Sequence, residues 1–84
     1  MYDCYITFRS VTVAQRGESV LRRANVGVSL QRTPRWMEEQ GCGYSLGIHH
    51  QDAEGASRML KNAGIAYRKV YIQRENGAFE EWKI

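Results

Sequence analysis

Hydrophobic and polar positions alternate at the start of the chain with the two-residue period of a β-strand. Successive side chains in a strand point to opposite faces of a sheet, so this period predicts one buried face and one open face. Cys4 falls on the face that is predicted to be buried. The positions of that face are Tyr2, Cys4, Ile6 and Phe8.

Two further runs predict strands in the middle of the chain. The first passes through Val26, Val28 and Leu30, and the second extends from Gly43 to about Ile48. Alternation along the second run predicts that its apolar residues share one face and that Ser45 and Gly47 share the other.

Two amphipathic segments predict helices with similar ends. Ser10 or Thr12 can cap the first helix, which runs to about Ala24, with Asn25 just beyond it. Asp52 can cap the second helix, which ends at Gly64. The small and apolar residues of the first segment recur at a constant offset in the second, which predicts a duplicated β-α-β unit. The matching sets are Ala14, Gly17, Leu21, Ala24, Asn25 and Val26, and Ala53, Ala56, Leu60, Ala63, Gly64 and Ile65.

The dipeptide Asn76-Gly77 predicts a hairpin near the C-terminus. It joins a strand-like segment from Tyr67 to Arg74 to a returning edge strand from Phe79 to Lys83. A two-residue type I′ turn is the usual connection for this dipeptide, and it would place Tyr71 opposite Trp82.

The elements together predict the α+β class, as a ferredoxin-like β-α-β-β-α-β two-layer sandwich with an additional C-terminal edge strand. The chain has 84 residues, 43% of them hydrophobic and 25% charged, so we expect residues 1–84 to form a single domain. A domain of this size holds one core but no deep substrate cavity. We therefore expect no independent enzymatic activity and expect any chemistry to be shared with a partner.

Composition also restricts where the protein acts. No apolar run approaches the roughly 20 residues that span a bilayer, and the chain begins with a strand-like segment rather than a signal peptide. Two cysteines are fewer than small disulfide-stabilised secreted domains usually contain. We therefore predict a cytoplasmic protein with free thiols and no membrane contact. Its net charge of +3 is interspersed, which favours a solvated surface over a nucleic-acid patch.

Cys42 is the candidate reactive residue because it lies between two glycines, Gly41 and Gly43, which leave space around its sulfur. In the predicted sheet Cys42 lies near the end of the first strand and Cys4 lies at the opposite end, so no disulfide joins them. The N-terminus of the first helix, together with Arg9 and Ser10, would favour the thiolate.

A further short helix, between the second and third predicted strands, could oppose this effect. Thr33 can cap it, with Pro34 at its first position and Gly41 after its end, so its negative C-terminal dipole would lie beside Cys42. We expect the first helix and the nearby Arg9 and Arg35 to outweigh it. The alternative for Cys42 is a small buried hydrophobic residue without a chemical role.

Several short motifs resemble a family of small bacterial proteins described as putative selenium/sulfur carrier-like. The resemblance covers roughly residues 4 to 72, and it is carried by Tyr5-Ile6-Thr7-Phe8-Arg9-Ser10, Glu18, Leu30-Gln31-Arg32-Thr33-Pro34-Arg35 and Gly41-Cys42-Gly43-Tyr44-Ser45-Leu46. It implies that Cys42 is the carrier thiol, with Gly43 as its permissive neighbour. It also implies that Thr33, Pro34 and Arg35 form the loop that presents this thiol.

The function that we expect is therefore persulfide carriage in sulfur or selenium transfer, without a cofactor, with a donor or acceptor enzyme as protein partner. One accessible thiolate is sufficient for this chemistry. Trp36 and Met37 would be contacts for the partner or, alternatively, the apolar side of the short helix. The chain departs from the family pattern in three places: the bulky Trp36 and Met37, the segment from Gly47 to His50, and the Asn76-Gly77 hairpin.

Other functions fit the sequence less well. His49 and His50 are adjacent on a strand and more than about 20 Å of extended chain from Cys42, so we expect neither a metal site nor a Cys-His nucleophile. The alternatives that remain open are a non-catalytic binding or homodimerisation module and an RNA-binding sheet that uses Tyr5, Tyr71, Trp82 and Lys69. Because Ser45 and Gly47 lie on that face, nucleic-acid binding is the weaker alternative.

Overall fold

The computed structural model describes residues 2–33 and 43–83. A 3-10 turn, His50–Asp52, leads into the second helix. The helices and strands, in chain order, are β1 (Cys4–Thr7), α1 (Val11–Arg23), β2 (Val28–Arg32), β3 (Tyr44–Ile48), α2 (Ala53–Asn62), β4 (Val70–Gln73) and β5 (Phe79–Glu81).

The five strands form one antiparallel sheet in the order β2-β3-β1-β4-β5. The α+β class predicted from the sequence is therefore confirmed. Thr7 pairs with Ser45 and Cys4 pairs with Ile48, so β3 begins beside the end of β1, as expected. This register gives the sheet two distinct ends. We call them the Gly43 end, after the residue that precedes β3, and the Asp3 end, after the residue that precedes β1.

Both helices contribute to the hydrophobic core on one face of the sheet. Cys4, Ile6 and Phe8 are completely buried, which confirms three of the four positions predicted for the buried face. The fourth was wrong: Tyr2 is half-buried and its side chain lies beside Gly47, on the other face of the sheet. Gly17 allows α1 to approach closely, because a Cβ added there would lie 3.2–3.3 Å from side chains of the core. The other completely buried apolar residues are Ala14, Leu21, Leu46, Ile48, Ala53, Ala56 and Leu60.

The two helices end with the same hydrogen-bonding pattern. Asn25 and Gly64 adopt positive φ angles of 61° and 74°, which reverse the chain after α1 and α2. The amide that follows each of them donates to a carbonyl near the helix end, from Val26 to Leu21 and from Ile65 to Leu60, in both cases at 2.9 Å. This is the Schellman arrangement, and it occurs at both of the helix ends that match in the sequence. It also explains why β2 begins at Val28 rather than Val26.

The helix starts differ from each other. Ser10 caps α1, since its hydroxyl accepts a hydrogen bond from the amide of Val13 at 3.2 Å. The prediction for α2 was wrong in part: Asp52 occupies the cap position but makes no side-chain cap bond. Asp3 acts there instead from the start of β1. Its carboxylate accepts the backbone amide of His50 at 2.7 Å and lies 2.6 Å from the His50 Nδ1.

The C-terminal hairpin exists, but its predicted register was wrong by one residue. Tyr71 pairs with Glu81, not Trp82. The loop contains three residues, because the amide of Arg74 donates to the carbonyl of Ala78 and only Gly77 adopts a positive φ, 86°. A three-residue loop with a left-handed glycine is the next common hairpin connection after the two-residue turns. Trp82 consequently lies on the helix side of the sheet and packs against the core.

Candidate functional site

The Gly43 end of the sheet brings together the described residues that flank the candidate cysteine. The amide of Thr33 donates to the carbonyl of Gly43 at 2.9 Å, which extends the pairing of β2 with β3 by one step. Both ends of the intervening segment are therefore fixed at one point. The predicted site residues Pro34, Arg35, Gly41 and Cys42, the proposed short helix and Trp36 with Met37 lie outside the described residues.

Gly43 has a backbone conformation that explains why glycine stands at this position. Its φ is 81°, in the left-handed region where a Cβ is sterically unfavourable. The chain therefore turns at Gly43, the residue that follows Cys42 in the sequence. Of the two glycines that flank the cysteine in sequence, Gly43 is the one that the structure describes.

The start of α1 lies at the same end of the sheet. Ser10, predicted as a supporting residue, follows β1 by three positions and is engaged as the α1 cap. Arg9, the other predicted supporting residue, is exposed. The unpaired amides of a helix start favour an anion nearby, and the predicted effect of this helix on Cys42 stays a prediction.

Several basic residues belong to segments that meet at the Gly43 end. Arg9 follows β1, Arg32 ends β2, and Arg68 donates its backbone amide to the carbonyl of Thr7 at 2.8 Å. The Arg32 guanidinium lies 5.4 Å from the centre of the Tyr44 ring. Lys69 is nearby, with its ammonium 3.7 Å from a carboxylate oxygen of Glu81. Basic residues from different segments therefore share this end of the sheet, where Lys69 is paired with Glu81.

Cys4 is the second cysteine of the chain, and its surroundings make it unreactive. It is completely buried on the helix side of β1. Burial raises the pKa of its thiol to about 12, and the negative charge of Asp3 adds to this effect. A thiolate is the reactive form of cysteine, so Cys4 is not a nucleophile in the folded protein at neutral pH.

The histidines lie at the Asp3 end. His49 stacks against Tyr2, with ring centres 5.1 Å apart, and His50 binds Asp3. Among residues 2–33 and 43–83, no cluster of three or more histidine, cysteine or acidic side chains could hold a metal ion. The Asp3–His50 pair was not predicted from the sequence. Its partners lie far apart along the chain, and no local motif links them.

A surface groove of about 570 Å³ lies beside the Asp3–His50 pair, lined also by Ile72, Arg74 and Glu75. A smaller groove of about 290 Å³ runs along α2 past Arg58 and Lys61. Neither groove includes a cysteine among its described lining residues.

The open face of the sheet differs from the aromatic platform considered for RNA. Tyr5 lies there against Phe79, with ring centres 5.5 Å apart. However, Tyr71 is only 7% exposed, and Trp82 packs on the opposite side of the sheet. Lys69 is paired with Glu81. Two of the four predicted contacts, Tyr71 and Trp82, therefore do not present an exposed ring to a base on this face.

Comparison with known proteins supplies the classification. The described residues define a small α+β protein in which Cys4 is buried and Gly43, the residue after Cys42 in sequence, has a left-handed backbone conformation. The chain belongs to the family described as putative Se/S carrier protein-like, whose sequence profile matches residues 3–72. This confirms the resemblance drawn from the motifs. No curated protein and no solved structure matches the chain.

The length and hydropathy of the two helices bear on whether either could span a membrane. Within the part of the chain that the structure describes, neither α1 nor α2 is long and apolar enough to cross a lipid bilayer.

Proposed function

We propose that this protein carries sulfur or selenium as a persulfide or its selenium analogue on Cys42. The observation that supports this most strongly is the state of the other cysteine. Cys4 is completely buried with a pKa of about 12, so in a family named for sulfur and selenium carriage the remaining thiol is Cys42. The basic Gly43 end would favour the anionic form of a group attached there.

The chemistry needs one nucleophile and no bound cofactor. The Cys42 thiolate attacks the terminal sulfur of a donor persulfide, a new S–S bond forms, the donor S–S bond breaks, and the donor leaves as a thiolate. Release repeats the step: an acceptor thiolate attacks the terminal sulfur and Cys42 leaves as a thiolate. Each transfer exchanges one S–S bond for another, so no external oxidant or reductant is consumed. With selenium, an S–Se bond takes the place of the S–S bond.

The fold that we infer for this task is the ferredoxin-like arrangement. The strand order β2-β3-β1-β4 with all neighbours antiparallel, and one helix in each of two crossover connections, supports it. β5 extends the sheet beyond β4. This arrangement sets the residue before β3, Gly43, at the same sheet end as the residues after β1, and this supports the proposal that Cys42 acts near the start of α1.

The proposed partners are a protein that donates the persulfide and a protein that accepts it. We place the exchange in the cytoplasm, where reducing thiol systems would keep Cys42 available between cycles. The basic residues of the Gly43 end would attract an acidic surface on either partner, so we expect transfer to slow as ionic strength rises.

Persulfide loading tests the proposal. The protein is incubated with a cysteine desulfurase and free cysteine, and its intact mass is then measured under non-reducing conditions. We expect the wild type and Cys4→Ala to gain the mass of one sulfur atom, and Cys42→Ser to gain none. A dithiol reductant should remove the added mass. Loading that persists in Cys42→Ser, or that depends on Cys4, would contradict the assignment.

A further inference from the structure

β2 is an outer strand of the sheet, with β3 on one side and no described strand on the other. The amide of Thr33 donates to the carbonyl of Gly43, and the bonds of an antiparallel ladder recur at every second residue. Ser29 and Gln31 therefore direct their amides and carbonyls towards β3. The alternate residues direct theirs away from the sheet. These residues are Val28, Leu30 and Arg32.

The described structure of β2 contains none of the usual features that prevent an edge strand from pairing further. Such features are charged side chains, proline, bulges and short length. β2 has five residues, pairs with β3 one to one, lacks proline and carries its single charge on its last residue, Arg32. β5, at the opposite edge, has three residues, of which Glu80 and Glu81 are charged. Of the two edges, that of β2 is the better suited to pairing.

The sequence of β2 fits an antiparallel copy of itself. In the register centred on Leu30, all five residues are paired across the two copies: Leu30 with Leu30, Ser29 with Gln31, and Val28 with Arg32. The outward-directed amides and carbonyls then meet one another, as the ladder requires. The charge of Arg32 lies opposite an apolar residue, whereas a register centred on Arg32 would place like charges opposite each other.

The side chains of β2 agree with this register on both faces of the sheet. Leu30 is half-buried and packs against the core on the helix side, so a second Leu30 would cover the part that remains exposed. Ser29 and Gln31 are half-buried on the opposite face, where each would meet an uncharged polar side chain that can hydrogen-bond.

We propose that β2 pairs with β2 of a second copy of this chain, so that two sheets continue as one across a two-fold axis at Leu30. The same surface then serves both copies, which is the commonest symmetry of soluble dimers. Because the paired strands are antiparallel, the two Gly43 ends lie at opposite ends of the interface, and α1 of both copies lies on one face. This interface does not depend on the carrier function.

Two measurements on the wild type test the pairing. Sedimentation equilibrium over a range of protein concentrations should show a monomer–dimer equilibrium. Amide hydrogen exchange, followed at single residues by NMR, should show that the amide of Leu30 exchanges more slowly as the dimer fraction rises. The amide of Glu81, on the opposite edge strand, should exchange at the same rate throughout.

Two double variants test the register, because position 29 of one copy meets position 31 of the other twice in the dimer. Ser29→Lys with Gln31→Lys places like charges opposite each other and should raise the dimer dissociation constant about tenfold. Ser29→Lys with Gln31→Glu places opposite charges there and should keep or lower it. Urea denaturation under conditions where the protein is monomeric checks that both variants fold.

Three results would overturn the pairing. The first is a wild type that stays monomeric, with Leu30 exchange independent of concentration. The second is a dimer that forms equally well in both double variants, since its contact would then lie elsewhere. The third is protection of the Leu30 amide only after a different protein is added. A dimer that follows these expectations but fails to load persulfide would overturn the carrier function and leave the pairing standing.

Discussion

At the residue scale, the cysteine that the structure describes, Cys4, has the surroundings of a core residue and not those of a reactive thiol. Cys4 is part of the core, is completely buried and has a pKa raised to about 12 by burial and by the charge of Asp3. Cys42 is bonded to Gly43, whose φ of 81° turns the chain at the start of β3. The account therefore assigns packing to one cysteine and chemistry to the other.

The left-handed backbone of Gly43 predicts how a substitution at this position changes stability. Replacing Gly43 by alanine places a Cβ in the left-handed region and should lower the free energy of unfolding by about 1–2 kcal/mol. Urea denaturation measures this change. Gly55→Ala is the matched control, since Gly55 lies inside α2 and an added Cβ would meet nothing within 4 Å. That substitution should raise stability by about 0.5–1 kcal/mol. Equal effects at the two positions would contradict the conformational argument.

At the element scale, the start of α2 depends on a residue from another element. Asp3, which precedes β1, binds both the backbone amide and the side chain of His50, while Asp52 at the cap position binds neither. Burial raises the pKa of Asp3, but the hydrogen bonds and charge of His50 lower it further, so its pKa is below the ordinary value of 3.8. The pair joins the sheet to the second helix.

Substituting Asp3 tests this long-range cap. Asp3→Ala should lower the free energy of unfolding by about 1–2 kcal/mol, in the range measured for lost helix caps, whereas Asp52→Ala should have a small effect. Because the pKa of Asp3 is lowered in the folded state, its contribution is present above pH 3.8 and is lost as pH falls through the lowered value. The wild type should therefore lose stability in this acidic range relative to Asp3→Ala. If the free energy of unfolding fell equally with pH in the wild type and in Asp3→Ala, the cap would be contradicted.

The same scale shows what the sequence could predict. The helix ends were predictable because Asn25 and Gly64 are local signals, and the buried face of β1 follows from simple alternation. The Asp3–His50 pair was not, since it depends on how the ends of two distant elements meet. The hairpin register was wrong because the sequence Asn76-Gly77 is compatible with both two-residue and three-residue loops, and a shift by one residue moved Trp82 to the other face.

At the scale of the whole molecule, the two ends of the single sheet carry different residues and contacts. The Asp3 end carries the histidines and the contact that starts α2, and the Gly43 end carries several basic residues and the α1 start. The position of Cys42 between Gly41 and Gly43, and the family resemblance, were available from the sequence. The raised pKa of the Cys4 thiol was not, because it depends on burial and on the charge of Asp3 in the packed structure.

The most direct test of this division is alkylation of the native protein at neutral pH, followed by peptide mapping. The account predicts that iodoacetamide modifies Cys42 first and leaves Cys4 unmodified until urea unfolds the chain, after which both react. A native protein in which Cys4 reacts as fast as Cys42, or in which Cys42 stays unmodified until unfolding, would contradict the central claim that Cys42 is the working thiol.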